Sequence, residues 1–198
     1  MSKISPLAFI DPEAKIGENC EIGPFCFIDK NVEIGDNNVL MNSVSVLYGA
    51  RIGNGNVIFP GAVISAVPQD LKFRGEETTA EVGDNNKIRE NVTINRGTAA
   101  KGKTCVGSGN LLMESVHVAH DAFVGNDCII GNGTKLAGEI IIDDHAIISA
   151  NVLMHQFCRV GGYTMVGGGT RFSQDIPPYT ICAREPVAYC GLNLVGLR

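Results

Sequence analysis

Residues 16–27 read IGENCEIGPFCF, two copies of one six-residue unit in which Ile16 and Ile22 open, Gly17 and Gly23 follow, and Cys20 and Cys26 stand four places after the opening residue. Carried outward in the same frame, every slot from Ile4 to Ile64 holds Ile, Leu or Val, and the phase resumes at Val82 and runs to Phe172. Of the 29 slots between 4 and 172, 24 hold Ile, Leu or Val, although these residues make up only 49 of the 198. Chance would fill about seven. A period of six matches neither the 3.6 of a helix nor the alternation of a free strand, and self-similarity at a fixed period marks a solenoid.

Later units follow the same rule: VGNDCI at 124–129 and VGGGTR at 166–171. Three short strands joined by tight bends make a triangular coil of eighteen residues. The large aliphatic groups stack inside, small residues sit near the corners, and Gly and Asn supply the backbone angles that the bends need. Coils stack as parallel strands about 4.8 Å apart, so the slots imply nearly ten coils and a prism roughly 45 Å long. Residues eighteen apart then become neighbours. The expected fold is an all-β parallel β-helix over 1–177, with a cap segment at 178–198 that opens on the second proline of SQDIPPYTI. A solenoid end needs such a cover.

One interruption stands out. Asp70 and Glu76 occupy slots that should be aliphatic, within SAVPQDLKFRGEETTAE. Because the phase survives, the stretch reads as a loop over 66–81, one coil's worth of residues, that leaves the prism and returns to the same edge. Long loops of this kind commonly carry function.

Composition narrows the functional classes. A net charge of -5 with four Tyr, eight Phe and no Trp is not the basic, ring-studded surface of a nucleic-acid binder. No run of about 18 apolar residues suggests a membrane span, and the start, MSKISPLAFIDPEAKIG, enters the repeat without the leader of a secretory signal. The expectation is a cytoplasmic protein. The seven cysteines are odd in number, and Cys20, Cys26, Cys128 and Cys158 share one slot, as small packing residues do.

Phosphate loops, dinucleotide fingerprints and Ser-centred nucleophile motifs are absent, which leaves four histidines: His117, His120, His145 and His155. In ESVHVAHDAFVG, His120 falls on a corner with Asp121 beside it, so a carboxylate is placed to set the imidazole tautomer and raise its basicity. Gly138 lies eighteen residues on and Gln156 eighteen beyond that, so the three form a column. A glycine beside a base can offer its N–H to an oxyanion, and a carboxamide can hold a substrate. Ordinary polar corners would give the same pattern. Zinc is not expected: His117, His120 and His145 occupy different places in the unit and point apart, whereas a closed site needs convergent ligands. His145, beside Asp143 and Asp144, reads as a solvated corner residue.

QDLKFRGE, IRENVTINRGT, LLMESVHVAHDAFVGNDCII, LAGEIIIDDHAIIS, MHQFCRVGGYTMVGG and QDIPPYTI together resemble the UDP-N-acetylglucosamine O-acyltransferase family of lipid A biosynthesis. The resemblance implies left-handed coils, a homotrimer with sites in clefts between prisms, and transfer of an (R)-3-hydroxyacyl group from acyl carrier protein to the sugar 3-hydroxyl. It needs no cofactor beyond that thioester. His120 then matches the general base, Asp121 its orienting partner, and Gly138 the oxyanion glycine. Asp70, Lys72, His117, Glu139, His155, Gln156 and Asn193 fall on substrate-site positions, and Gly168 matches the position that limits acyl length. Two positions depart: Glu139 and Asn95 stand where relatives often carry His. The family also continues into a helical domain where this sequence ends in NLVGLR. Alternatives are the N-acyltransferase of the same pathway, a coenzyme A-dependent acetyltransferase, and a non-catalytic scaffold.

Overall fold

The computed structural model describes residues 2–198, and every regular element in it is a strand. Most strands are two residues long and end on the aliphatic slot, whose side chain turns inward while its neighbour faces out. They assemble into three sheets of 11, 9 and 8 strands. Each strand but the last pairs in parallel with the one a full coil away, as in Lys3–Ile4 against Glu21–Ile22, and the coil winds left-handed. Ile28, Ile58, Ile94, Ile130 and Ile148 are fully buried along the axis. Each such side chain contributes about 1.5–3 kcal/mol by leaving water.

The corners follow one rule. Asn19, Asn31, Asn37, Ser115, Asp121, Glu139 and His145, each three places after an opening residue, have φ between 53° and 60°. Asn and Asp tolerate this left-handed backbone because their short side chains bond locally. Inside, Asn38, Asn56, Asn86 and Asn110 form a buried ladder in which each side-chain oxygen accepts the backbone N–H of the next, so these polar residues keep their hydrogen bonds away from water.

Register corrects the expected coil number and the loop length. Ile52 pairs with Val82, thirty positions on instead of eighteen, so twelve residues (67–78) leave the coil between Val63–Ala66 and Thr79–Val82, inside the expected 66–81. A second excursion went unread. Val82 pairs with Val106, twenty-four on, so six residues leave between Thr93–Asn95 and Lys103–Val106. Asp70, Glu76 and Ala100 lie in these excursions, which leaves 26 slots in the prism and fewer than nine coils. Both excursions emerge from the corner between the nine- and eight-stranded sheets.

Residues 178–198 extend the eleven-stranded sheet. Thr180–Ala183 adds in parallel to Met165–Val166, and Ala188–Leu192 folds back antiparallel on it. No helix of the described residues is long and apolar enough to cross a membrane.

Candidate active site

The strand His117–Val118 belongs to the nine-stranded sheet and Phe123–Val124 to the eight-stranded one, so residues 119–122 turn the corner from which both excursions emerge. His120 projects there, about one-sixth exposed, and its Nδ1 lies 2.8 Å from Asp121 Oδ2. The left-handed backbone at Asp121 (φ 60°) folds its carboxylate back onto the preceding imidazole. That carboxylate is fully buried.

Asp121 has a second anchor that the sequence reading missed. Thr98, in the six-residue excursion, donates its N–H to Asp121 Oδ1 at 2.9 Å and its hydroxyl to Oδ2 at 2.6 Å. Burial alone would raise the Asp121 carboxyl, but the Thr98 hydroxyl, the imidazole of His120 and the Thr98 N–H outweigh it and hold it below the usual carboxylate range. Ionised, Asp121 can only accept, so His120 donates through Nδ1 and leaves the Nε2 lone pair free.

Gly138 stacks on His120 one coil later. A Cβ on it would lie 2.7 Å from Cε1 and 2.8 Å from Nε2, so only glycine lets the backbone approach the ring this closely. Its carbonyl accepts the Phe157 N–H at 3.2 Å, while its own N–H bonds to no protein group among the described residues. Gln156 follows one coil on, in the register that pairs Lys135 with Leu153. The expected column is present.

A cleft of about 360 Å³ opens beside it, lined by His117, His120, Gly138, Lys135 and Leu153, with Gln69 entering from the long excursion. His117 Nδ1 is 2.7 Å from Thr93 Oγ1. Burial, then the charges of Lys135 and His120, push the His117 imidazole down, so it sits neutral in the wall. Lys135 Nζ donates to Ser115 O at 2.6 Å. Lys135 faces the cleft because its slot precedes the inward Leu136, a signal the residue pattern carried and the reading passed over.

The two departing positions have found local partners. Lys101 Nζ stands 3.7 Å from Glu139 Oε2. Asn95 is buried and gives its amide N–H to Val67 O at 3.0 Å, tying down the root of the long excursion. Arg96 beside it lies between the rings of Tyr48 and Phe73, which holds the excursion against the prism.

Other expected site residues stand apart from this cleft within one chain. His155 is exposed at the same corner, with Nδ1 3.1 Å from the Gln156 carbonyl. In the excursion, Asp70 Oδ1 accepts the Lys72 N–H at 2.8 Å, and neither side chain lines the cleft. Gly168 lies on the corner between the eleven- and nine-stranded sheets, where a Cβ would make a tight contact at 3.3 Å with Ala150 O. Asn193 is on the third corner, donating to Tyr163 O at 2.8 Å. His145 stacks on Tyr163 there, with ring centres 4.6 Å apart, far round the prism from His120.

The thiols offer no nucleophile to this imidazole. Cys128 is pushed up to about 11 by burial, and its Sγ lies 3.3 Å from Asp143 O. Burial and the Glu81 carboxylate push the Cys105 thiol up as well.

No protein-family model matches the chain. The chain is similar to the acyl-(acyl-carrier-protein)–UDP-N-acetylglucosamine O-acyltransferase of Aliarcobacter butzleri, at 45% identity over 100% of this chain and 76% of that protein. Among solved structures, the UDP-N-acetylglucosamine acyltransferase LpxA of Bacteroides fragilis superposes with a TM-score of 0.96 at 74% identity, covering 98% of this chain and 76% of that one. LpxA of Acinetobacter baumannii gives 0.96 at 41% identity, with the same shares. With a relative 45% identical over the whole of this chain and 76% of its own length, the chain belongs to the UDP-N-acetylglucosamine O-acyltransferase family.

Proposed function

We propose that this protein transfers an (R)-3-hydroxyacyl group from acyl carrier protein to the 3-hydroxyl of UDP-N-acetylglucosamine, the first step of lipid A biosynthesis. The observation that carries the mechanism is the stacking of Gly138 against a His120 ring whose Nδ1 is committed to Asp121. His120 Nε2 takes the proton of the sugar hydroxyl as its oxygen attacks the thioester carbonyl. The free Gly138 N–H meets the developing oxyanion, a contact worth most in a preorganised site. The intermediate then collapses, the C–S bond breaks, and the imidazolium returns the proton to the departing thiolate. No acyl-enzyme forms, in keeping with the absence of a Ser or Cys hydrogen-bonded to His120 among the described residues.

The acyl donor is the carrier-protein thioester, and no further cofactor takes part. The working form is a homotrimer in the cytoplasm. The spread of Gly168, His120 and Asn193 over three different corners supports this reading, since neighbouring prisms would bring the corners together at shared clefts. His117, His155, Gln156, Asp70, Lys72, Glu139 and Asn193 would contact the sugar nucleotide or the acyl chain there.

The test is turnover by the purified chain with UDP-N-acetylglucosamine and a series of hydroxyacyl carrier proteins, followed by mass spectrometry. His120→Ala should lose nearly all activity while its melting profile and oligomeric state stay those of the parent. Near-normal turnover by that variant would eliminate His120 as the base. Preference for a coenzyme A thioester or an amino-sugar acceptor would move the chain to another acyltransferase class.

A further inference from the structure

The six-residue excursion is built as a clasp. It leaves and rejoins the prism at one point, where Gly97 passes so close to Lys103 that a Cβ would lie 2.2 Å from its backbone nitrogen. It is pinned by Gly102 N–H to Thr98 O at 2.7 Å and by Thr79 N–H to Gly102 O at 3.0 Å. From this fixed base, Thr98 reaches Asp121 through both its backbone N–H and its hydroxyl. The hydroxyl's direction is settled, because its oxygen accepts the Ala100 N–H at 3.2 Å and so keeps its hydrogen for the carboxylate. Below, Asp121 N–H donates to Thr104 Oγ1 at 2.8 Å. Lys101 Nζ lies 3.4 Å from Asp121 O and bridges onward to Glu139.

We propose that Thr98 is a positioning residue, the third member of a Thr98–Asp121–His120 relay that fixes the carboxylate and, through it, the tautomer and angle of the imidazole. This deepens the acyl-transfer reading and rests on it. A carboxylate held by one donor alone can rotate about its last bond. Held by three donors, it offers Oδ2 to Nδ1 in a single orientation, and outer partners of this kind set the ring they support. Thr98 touches neither substrate nor reacting atom, so its effect falls on turnover and not on substrate affinity.

The experiment compares Thr98→Val, which keeps the shape and removes the hydroxyl, with Thr98→Ser, which restores it. The valine variant should lose about tenfold or more in kcat with KM for UDP-N-acetylglucosamine within about twofold, a small share of what general-base catalysis supplies. Without the competing hydroxyl, the Asp121 charge falls more fully on Nδ1–H. The charged and titratable groups packed around the imidazole are Asp121, His117, Lys135 and Glu139, and the substitution alters the hold on the first of these alone. The acidic limb of the kcat/KM profile should therefore move to higher pH, and the serine variant should return both readings to the parent's. Parent-like kcat and pH profile in the valine variant overturn the role of Thr98. So does a serine variant as impaired as valine, or a loss that merely follows a lower folded fraction. His120→Ala run alongside separates the two readings: if it still turns over, the base assignment falls; if it is dead while valine is normal, only the relay falls.

Discussion

Gly138→Ala is the sharpest probe of the column. Gly138 is not among the residues with a left-handed backbone, so alanine meets no conformational penalty there and the only new demand is space. The added methyl would sit 2.7 Å from His120 Cε1 and 2.8 Å from Nε2, where ordinary contact begins at 3.4 Å. The ring must retreat by about 0.7 Å, and the 2.8 Å Nδ1–Oδ2 bond must stretch or swing to let it. A misplacement near 1 Å at a reacting group costs about 100-fold, or about 2.7 kcal/mol of barrier. Overpacking should also lower folding stability by about 1–3 kcal/mol. The assay is the initial rate of acyl transfer with urea denaturation of the same preparations. Repeating the denaturation in a His120→Ala background closes a double-mutant cycle: without the ring the methyl has nothing to push, so the stability cost should vanish. A kcat within about threefold of the parent, or an equal stability cost in both backgrounds, would refute the reasoning.

Two further outcomes are expected. Gly168→Met should fold, since a Cβ there asks Ala150 O, 3.3 Å away, to give only slightly and has Ser149 Cβ at 3.8 Å, and it should shorten the hydroxyacyl chain preferred among carrier-protein donors; an unchanged preference would remove Gly168 as the length limit. Acid should destabilise the fold through two groups of the same sign. His117 is pushed down from 6.5, so below about that pH the unfolded chain takes a proton that the folded chain refuses; Asp121 is also held low, and its contribution, present above the unfolded carboxylate value, is lost as pH falls through the folded value. The urea midpoint should thus begin to fall below pH 6.5, and His117→Asn should flatten that first part of the decline; the same slope with His117 replaced would refute the assignment.

The coil and the column could be read from sequence for one reason: every unit meets the same environment, so the inward slot selects a large apolar residue 26 times over, Ile, Leu or Val in 24 of them, and register follows from counting. The excursions escaped that count for a related reason. Both add a multiple of six to the coil, twelve residues at 67–78 and a net six in the stretch between Ile94 and Val106, so the phase on either side survives and the pattern cannot tell coil from excursion. Only misfilled slots betray them: Asp70 and Glu76 in the first, and Ala100 in the second. Thr98 was hidden with its excursion. It meets Asp121, twenty-three positions away, only because that stretch of coil takes twenty-four residues instead of eighteen.

The same arithmetic explains why the chemistry gathers at one corner. An excursion of twelve or six residues leaves the stacking of every other rung untouched, so a solenoid can add a wall or a clasp without disturbing its core. It can do so only where the added segment meets something useful. Here one excursion brings Gln69 to the cleft and the other brings Thr98 to Asp121, and both leave from the corner that carries His120. The other two corners carry no excursion between Lys3 and Phe172, and the residues on them, Gly168 and Asn193, stand in a plain rung and just past the terminal strand. A helix of identical units thus acquires a single chemical edge through breaks in its repeat, and in this chain the slots that fail the aliphatic rule in mid-coil point to that edge more directly than the twenty-four that obey it.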